Sequence, residues 1–236
     1  MELKRLYSLT RQAIDEYNMI EEGDRVAVGI SGGKDSLTLL YALSGLQKFY
    51  PKKFELEAVT VDLGLNMDYS PVIDLCDSLG VKYTIIETKI KEIVFDKKQE
   101  KNPCSLCAKL RKGALYSELS KMGLNKIAYA HHKDDVVNTL MMSLFYEGRI
   151  LTLEPKTFLD GADITVIRPL IFVSEAEIIG FKNKMELPVI KNNCPADGYT
   201  KREYVSNLLN QVNRENPSVK DRIFTAIDKE LFDRFR

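Results

Sequence analysis

The chain has 236 residues with 34 basic and 34 acidic side chains, so its formal net charge is zero. That balance gives no support to a strongly basic nucleic-acid binder, although it is compatible with a local basic face. Hydrophobic residues make up 44% of the chain, which excludes a largely disordered protein and fits one large domain or one domain with an appendage.

Strands and helices are predicted to alternate along most of the chain. A helix is expected over residues 3–20 from its amphipathic spacing. Further patterns predict strands at 25–30, 56–61, 83–86, 127–130 and 165–170, helices at 37–50, 71–79, 105–121, 134–146 and from 174, and closing helices at 201–214 and 218–235. Residues 89–103 and 148–162 are expected to be irregular. The alternation favours an α/β fold with a doubly wound parallel five-stranded sheet and flanking N- and C-terminal helices.

The same pattern suggests three segments. These are an N-terminal helix at 1–21, an α/β domain at 22–190, and a C-terminal helical segment at 191–236 packed on it. The chain shows neither a secretory signal nor an apolar run of about 18 residues, so we expect a soluble cytoplasmic protein without membrane association. In that compartment four cysteines favour metal or redox chemistry over structural disulfides.

A glycine turn joins the first predicted strand to the next helix. It reads Ser31, Gly32, Gly33, Lys34, Asp35 and Ser36. Adjacent glycines let the backbone approach a ligand closely, and the helix start offers free N–H groups. These features favour a phosphate-binding loop over an ordinary capped turn. It is not a P-loop, because Val28 stands where the first glycine of that motif would be and Asp35 follows Lys34.

The hexapeptide resembles the PP-loop of the ATP pyrophosphatases. Members of that family split ATP between its α and β phosphates and adenylate their substrate. The resemblance implies that residues 31–36 bind the phosphates of ATP, that Lys34 and Asp35 also act in catalysis, and that 22–190 is the ATP-binding domain.

Two further stretches follow predicted strands and should lie at the same sheet edge as the turn. They are Asp62 and the run His131, His132, Lys133, Asp134 and Asp135. Ligands of such sheets sit beyond the carboxyl ends of the strands, so Asp62 and His131 are predicted in the nucleotide site. Carboxylates beside a triphosphate can hold Mg²⁺, but an aspartate here could instead cap the next helix. The run resembles the His-His-x-Asp-Asp segment of PP-loop tRNA-modifying enzymes, which implies that Asp135, with Asp134, serves the metal or the substrate.

Three cysteines are candidate ligands or redox groups. Cys104 and Cys107 stand at a predicted helix start, where thiol pKa values are lowered, and Cys194 comes much later in the chain. A metal site with an open fourth position, a redox relay and incidental thiols all fit this set. A closed zinc site would need a fourth ligand that no spacing indicates. Cys76 lies inside a predicted helix and is expected to be a buried, small apolar side chain.

The segment 104–116 resembles the Cys-x-x-Cys-x-x-Leu-Arg-Arg segment of the tRNA 2-thiocytidine synthetases. Residues 130–135, 144–148, 167–170 and 188–190 match the same family, so the similarity covers about residues 22–212. It implies a [4Fe–4S] cluster on Cys104, Cys107 and Cys194, with the transferred sulfur at the fourth iron. The stretch 195–198 departs from the family pattern, which leaves the substrate base open.

These expectations combine into ATP-dependent tRNA thiolation, with adenylation at C2 of an anticodon-loop cytidine and replacement of that oxygen by sulfur. The expected partners are tRNA, a sulfur donor that is either a cysteine desulfurase or free sulfide, and a second copy in a homodimer. Lys109, Arg111 and Lys112 either contact RNA phosphate or form a solvated helix face. The alternatives are another PP-loop ligase such as a lysidine synthetase, a different iron–sulfur-dependent sulfur transferase, and a nucleotide sensor without catalysis.

Overall fold

A six-stranded sheet with helices around it forms the centre of the computed structural model, which describes residues 1–97, 103–191, 193–194 and 201–236. The strands are β1 (Asp24–Gly29), β2 (Phe54–Asp62), β3 (Lys82–Glu87), β4 (Lys126–Ala128), β5 (Lys156–Leu159) and β6 (Ile164–Ile167). The helices are α1 (Leu3–Glu16), α2 (Lys34–Gln47), α3 (Ser70–Leu79), α4 (Pro103–Lys121), α5 (Lys133–Glu147), α6 (Glu175–Lys184), α7 (Lys201–Glu215) and α8 (Val219–Leu231). A π-helical segment at Glu92–Lys97 and a 3-10 turn at Asp233–Phe235 are also present.

The strand order is β3-β2-β1-β4-β6-β5, and the five predicted parallel strands are all found. The expectation of a loop throughout 148–162 is wrong, because residues 156–159 form β5 and pair antiparallel with β6. The sheet therefore has six strands rather than five. Four residues are too few to show strand alternation in the sequence, and β6 supplies the backbone partners that fix this edge strand.

Successive residues of β1 pack into two apolar clusters. Val26 and Val28 belong to a large cluster that includes Leu37 of α2, whereas Ala27 packs with Leu115 of α4. Because side chains alternate across a strand, the two clusters lie on opposite faces of the sheet. The glycine turn that begins α2 and the cysteine helix α4 therefore come from opposite faces.

Several helix boundaries differ from the prediction. The first helix ends at Glu16 instead of residue 20, and Asn18 just beyond it has a left-handed backbone with φ of 47°. Helix α4 begins at Pro103, where proline is well tolerated because a first-turn N–H has no intrahelical partner. The expectation of an irregular segment throughout 89–103 is wrong, because Glu92–Lys97 form a π-helical segment. Residues 98–102 and the departing stretch 195–198 lie outside the described residues. No helix in the described ranges is long and apolar enough to cross a membrane.

The two C-terminal helices pack on α5, whose first turn carries the predicted acidic pair. Helices α7 and α8 both contact α5. Phe224, Ile227 and Phe232 join the large core cluster, where Tyr17 donates a hydrogen bond to Asp228 over 2.5 Å. The end of the chain thus supports the beginning of α5. The proposed segment boundaries at 21/22 and 190/191 remain a prediction.

Candidate active site

Two serines hold the glycine turn in a closed shape. The Ser31 backbone N–H donates to Ser36 Oγ over 3.2 Å, and the two side-chain oxygens are also 3.2 Å apart. Ser36 Oγ in turn donates to the Gly33 carbonyl over 3.0 Å. Gly33 precedes the first residue of α2, whose first-turn N–H groups have no intrahelical partners. The turn is therefore shaped before any anion arrives, as phosphate binding at a helix start requires.

Gly32 meets the segment that follows α6. Its φ of +78° is in the left-handed region, and its carbonyl accepts a 3.1 Å hydrogen bond from the Ile190 N–H. A Cβ added at Gly32 would lie 2.2 Å from Ile190 Cγ1. Both the backbone conformation and the space require glycine here. This contact places the segment that leads to Cys194 against the glycine turn.

Lys34 carries the positive charge of the turn and is balanced by two carboxylates. Its Nζ lies 3.1 Å from Asp35 Oδ1 and 3.2 Å from Glu175 Oε1. Burial lowers the pKa of Lys34, but the two carboxylates outweigh burial and raise the pKa above its ordinary value. Lys34 is thus cationic at neutral pH, and a phosphate would compete with carboxylates for it. Glu175, which sequence reasoning missed, is the first residue of α6.

In the run from His131 to Asp135, the residues make different kinds of contact, and Asp134 joins helices. Asp134 accepts hydrogen bonds from the Glu175 N–H over 2.8 Å and from Lys220 Nζ over 2.9 Å, which ties α5 to α6 and α8. Burial raises the pKa of Asp134, but the two hydrogen-bond donors lower it by more. The net pKa therefore lies below the ordinary value. Each Asp134 oxygen thus accepts one hydrogen bond within the protein. A role for Asp134 beside the metal or the substrate stays a prediction.

Asp135 caps the start of α5 and also faces the site. Its Oδ2 accepts from the His132 N–H over 3.1 Å, and its Oδ1 lies 3.4 Å from Arg202 Nη1. The buried His132 ring joins this carboxylate to the glycine turn, because its Nε2 is 3.4 Å from Asp135 and 3.8 Å from Asp35. Asp135 therefore lies near the predicted nucleotide turn, and its catalytic role stays a prediction.

His131 belongs to a different set of contacts from its neighbour His132. Arg168 Nε donates to His131 Nδ1 over 3.3 Å, and the Tyr129 ring lies 5.8 Å from the His131 ring. Burial, followed by the charge of Arg168, lowers the pKa of His131 to about 4. His131 is therefore uncharged at neutral pH. Arg168 follows β6, so the rule that sites lie at the ends of parallel strands could have identified it.

Asp62 lies at the end of β2, beside β1, as predicted. Its Oδ1 accepts hydrogen bonds from the Gly64 N–H over 3.1 Å and from Tyr69 OH over 3.3 Å. Thr60, two residues earlier, donates to the Ile30 carbonyl over 3.0 Å and so joins the two strand ends. Asp62 thus lies at the same sheet edge as the glycine turn, and its contact with a nucleotide stays a prediction.

The three candidate cysteines form no disulfide bonds, and Cys104 and Cys107 lie in the first two turns of α4. Burial raises the pKa of the Cys107 thiol above its ordinary value, although the charge of Arg111 lowers it, and Cys194 and Cys104 add to the increase. The lowered pKa expected at this helix start is therefore wrong for Cys107, because burial outweighs it. Cys194 lies near Cys107 despite their distance in the sequence. Within the described ranges, no three potential ligands are already arranged to hold a metal ion.

The sequence analysis also made predictions for Cys76 and for three basic residues of α4. Cys76 is fully buried in the core, as expected, and burial raises the pKa of its thiol to about 11. Lys109, Arg111 and Lys112 are exposed and lie within about a turn and a half after Cys107. Their exposure suits either contact with an RNA backbone or a solvated face.

Comparison with known proteins identifies relatives over nearly the whole chain. The family model of the PP-loop domain matches residues 5–212. A tRNA-cytidine(32) 2-sulfurtransferase of Cupriavidus taiwanensis is 41% identical, over 97% of this chain and 78% of its own. One of the same name from Geobacter sulfurreducens is 38% identical, over 95% of this chain and 89% of its own.

A solved structure with the same fold is the U34-tRNA thiolase NcsA of Methanococcus maripaludis, determined with its [4Fe-4S] cluster. The TM-score is 0.75 at 24% sequence identity, and the match covers 94% of this chain and 77% of that one. At this identity the likeness supports the shared fold. It agrees with the mixed α/β architecture built around β1 and the glycine turn.

Proposed function

Because this chain belongs to the PP-loop family and, within it, to the tRNA 2-thiocytidine synthetases, we propose that it is an ATP-dependent tRNA sulfurtransferase that acts on cytidine. The base is taken from the names of the relatives, which specify a cytidine of tRNA. The observation that carries the proposal is that the glycine turn begins α2 on one face of the sheet, whereas Cys104 and Cys107 lie in the first turns of α4 on the other. The segment that leads to Cys194 contacts the turn at Gly32.

The first proposed step is adenylation of the base. The C2 oxygen of cytidine attacks the α-phosphorus of ATP, the bond to the β-phosphate oxygen breaks, and pyrophosphate leaves. The first-turn N–H groups of α2 and the Lys34 ammonium neutralise phosphate charge. Asp35 and Asp135, with Asp62 at a neighbouring strand end, complete the nucleotide site, and His131 follows β4 at the same edge of the sheet. Mg²⁺ would be held mainly by phosphate oxygens and water, with Asp135 as a carboxylate ligand.

The second proposed step is displacement of AMP by sulfur. Sulfide attacks C2, the bond from C2 to the phosphate-linked oxygen breaks, and AMP leaves with that oxygen. Three thiolates are the ligand type that iron–sulfur clusters take, so Cys104, Cys107 and Cys194 suit a [4Fe–4S] cluster in kind. When bound, the cluster would present the sulfur at an iron without a protein ligand. The position of Cys194 near Cys107 and Cys104 supports this ligand set.

We further propose that the sulfur comes from a cysteine desulfurase or free sulfide, and that the enzyme works in the cytoplasm.

We also propose that the enzyme is a homodimer. Exposed apolar side chains support self-association. They occur at the end of α5 and just after it, at Leu144, Phe145, Ile150 and Leu151. Such a patch on one copy can be covered by a second copy. Light scattering of the purified protein measures this directly, and a strictly monomeric mass would contradict it.

The proposal is tested by mass spectrometry of tRNA nucleosides from a strain that lacks the gene. We expect 2-thiocytidine to disappear, to return with the wild-type gene, and to stay absent with the Cys104→Ser gene. The Cys76→Ser gene is the matched control and should restore the nucleoside. Unchanged 2-thiocytidine with loss of a different thionucleoside would overturn the substrate and keep the mechanism. Loss of a nucleoside that carries no sulfur would favour a ligase such as lysidine synthetase.

A further inference from the structure

Arg168 follows β6 and donates a hydrogen bond to the ring of His131. It is half-buried, and its Nη1 donates to the Glu154 carbonyl and lies 3.5 Å from Thr157 Oγ1. Its backbone N–H also donates to the Pro155 carbonyl over 3.0 Å. These contacts fix the direction of the guanidinium, whose Nε points at His131 Nδ1 over 3.3 Å.

A guanidinium is only a donor, so His131 Nδ1 must be an acceptor and carry no proton. In a neutral imidazole the proton then resides on Nε2. We propose that Arg168 is a positioning residue that holds His131 as the neutral Nε2–H tautomer, and that this N–H donates a hydrogen bond to the acceptor base. The identity of that base rests on the proposed function, whereas the tautomer does not.

The position of His131 suits contact with a substrate between the two chemistries. His132 contacts Asp35 of the nucleotide turn, whereas the His131 ring lies beside Tyr129. Tyr129 OH is 3.4 Å from Tyr116 OH of α4, the helix that carries two of the cysteines. His131 therefore lies on the α4 side of the sheet, next in the chain to the histidine that reaches the glycine turn. We place the acceptor base there, within reach of both predicted chemistries.

The electrostatic surroundings keep His131 a neutral donor. Burial, Arg168, Arg202 and His132 disfavour its charged form, and Asp135 is the group that favours it. The hydrogen bond from Arg168 occupies Nδ1, so Nε2 is the ring nitrogen that can donate to a ligand. A neutral N–H matches the oxygen on C2 of a pyrimidine, which gains negative charge when it departs with AMP.

The tautomer can be read by nitrogen-15 NMR, because the chain contains two histidines and His132→Gln assigns the signals. We expect His131 in the wild type to show an unprotonated Nδ1 and a protonated Nε2 at neutral pH. Arg168→Met should release it into exchange between tautomers. Arg202→Met is the matched control, since Arg202 is a nearby cation with no hydrogen bond to the ring, and it should leave the tautomer unchanged. A wild-type His131 with its proton on Nδ1, or charged at neutral pH, overturns the inference.

The proposed hydrogen bond from His131 to the acceptor base is tested in variants of His131 that keep Arg168. The amide nitrogen of glutamine can replace Nε2 of histidine, whereas that of asparagine is closer to Nδ1. His131→Gln should retain turnover within about tenfold, and His131→Asn should lose about a hundredfold with an unchanged KM for ATP. Equal losses in both variants would overturn the donor role. If wild-type protein with the expected tautomer thiolates no cytidine, the proposed function fails and the tautomer assignment stands.

Discussion

Replacing Gly32 with alanine tests how the nucleotide turn is built. Gly32 has φ of +78°, and an added Cβ would lie 2.2 Å from Ile190 Cγ1 and 2.5 Å from Ile190 Cδ1. The left-handed backbone costs an L residue about 1–2 kcal/mol. Forcing the Ile190 side chain aside adds about 1–3 kcal/mol, as expected for overpacking. We therefore expect Gly32→Ala to lower the free energy of unfolding by about 2–5 kcal/mol.

The neighbouring glycine provides the control. Gly33 has φ of −83°, and a Cβ there meets only Ser31 Oγ at 3.4 Å, an ordinary contact. Because Gly33 is the N-cap residue of α2, alanine should cost no more than about 1 kcal/mol. Urea denaturation of both variants measures the difference, and hydrogen exchange at the Ile190 amide reports the bond to the Gly32 carbonyl. If Gly32→Ala unfolds at the same urea concentration as Gly33→Ala and keeps Ile190 protected, the steric reasoning is refuted.

Three further predictions concern charge, metal and pH. Lys34→Ala should weaken ATP binding about ten- to hundredfold, as loss of a charge-assisted contact predicts. Wild-type protein should release AMP and pyrophosphate from ATP. Release of ADP by the wild type would contradict the proposed adenylation. Iron analysis of anaerobic protein should show loss of metal in Cys104→Ser, Cys107→Ser and Cys194→Ser but not in Cys76→Ser, and the reverse pattern for Cys76 and Cys194 would refute the ligand set. Asp134→Asn should lower the free energy of unfolding by about 1–3 kcal/mol at neutral pH. The folded-state pKa of Asp134 lies below its ordinary value, so its stabilisation is complete above the unfolded pKa and is lost as pH falls through the folded pKa. The unfolding curves of wild type and Asp134→Asn should thus converge in acid, and a constant difference at all pH values would count against the pairing with Lys220.

Much of the fold could be predicted because most of its strands have a recognisable local sequence pattern. β1 and β2 are apolar runs that end in recognisable polar turns, and the parallel pairing follows from the alternation with helices. β5 could not be predicted in the same way. Residues 156–159 contain one lysine and one threonine between a proline and a glycine, and their strand conformation depends on pairing with β6. Tertiary context decides such short edges.

The site was predictable where chemistry depends on short motifs and not where it depends on distant contacts. The glycine turn, Asp62 and Asp135 all follow strands and lie at one edge, as the sequence indicated. The partnership of Lys34 with Glu175 and that of Gly32 with Ile190 join segments more than 100 residues apart, so no local pattern reveals them. The bonds of Asp134 to Glu175 and Lys220 are likewise distant contacts that no local pattern reveals, and its role beside Asp135 stays a prediction.

The most direct test of the central claim follows one oxygen atom. Transfer RNA with oxygen-18 at C2 of the target cytidine would be incubated with anaerobic enzyme, ATP and sulfide, and the products analysed by mass spectrometry. If the base is adenylated before sulfur replaces its oxygen, each 2-thiocytidine formed should be accompanied by one AMP that carries the label on its phosphate. Label in water or in pyrophosphate, with AMP unlabelled, would contradict the account.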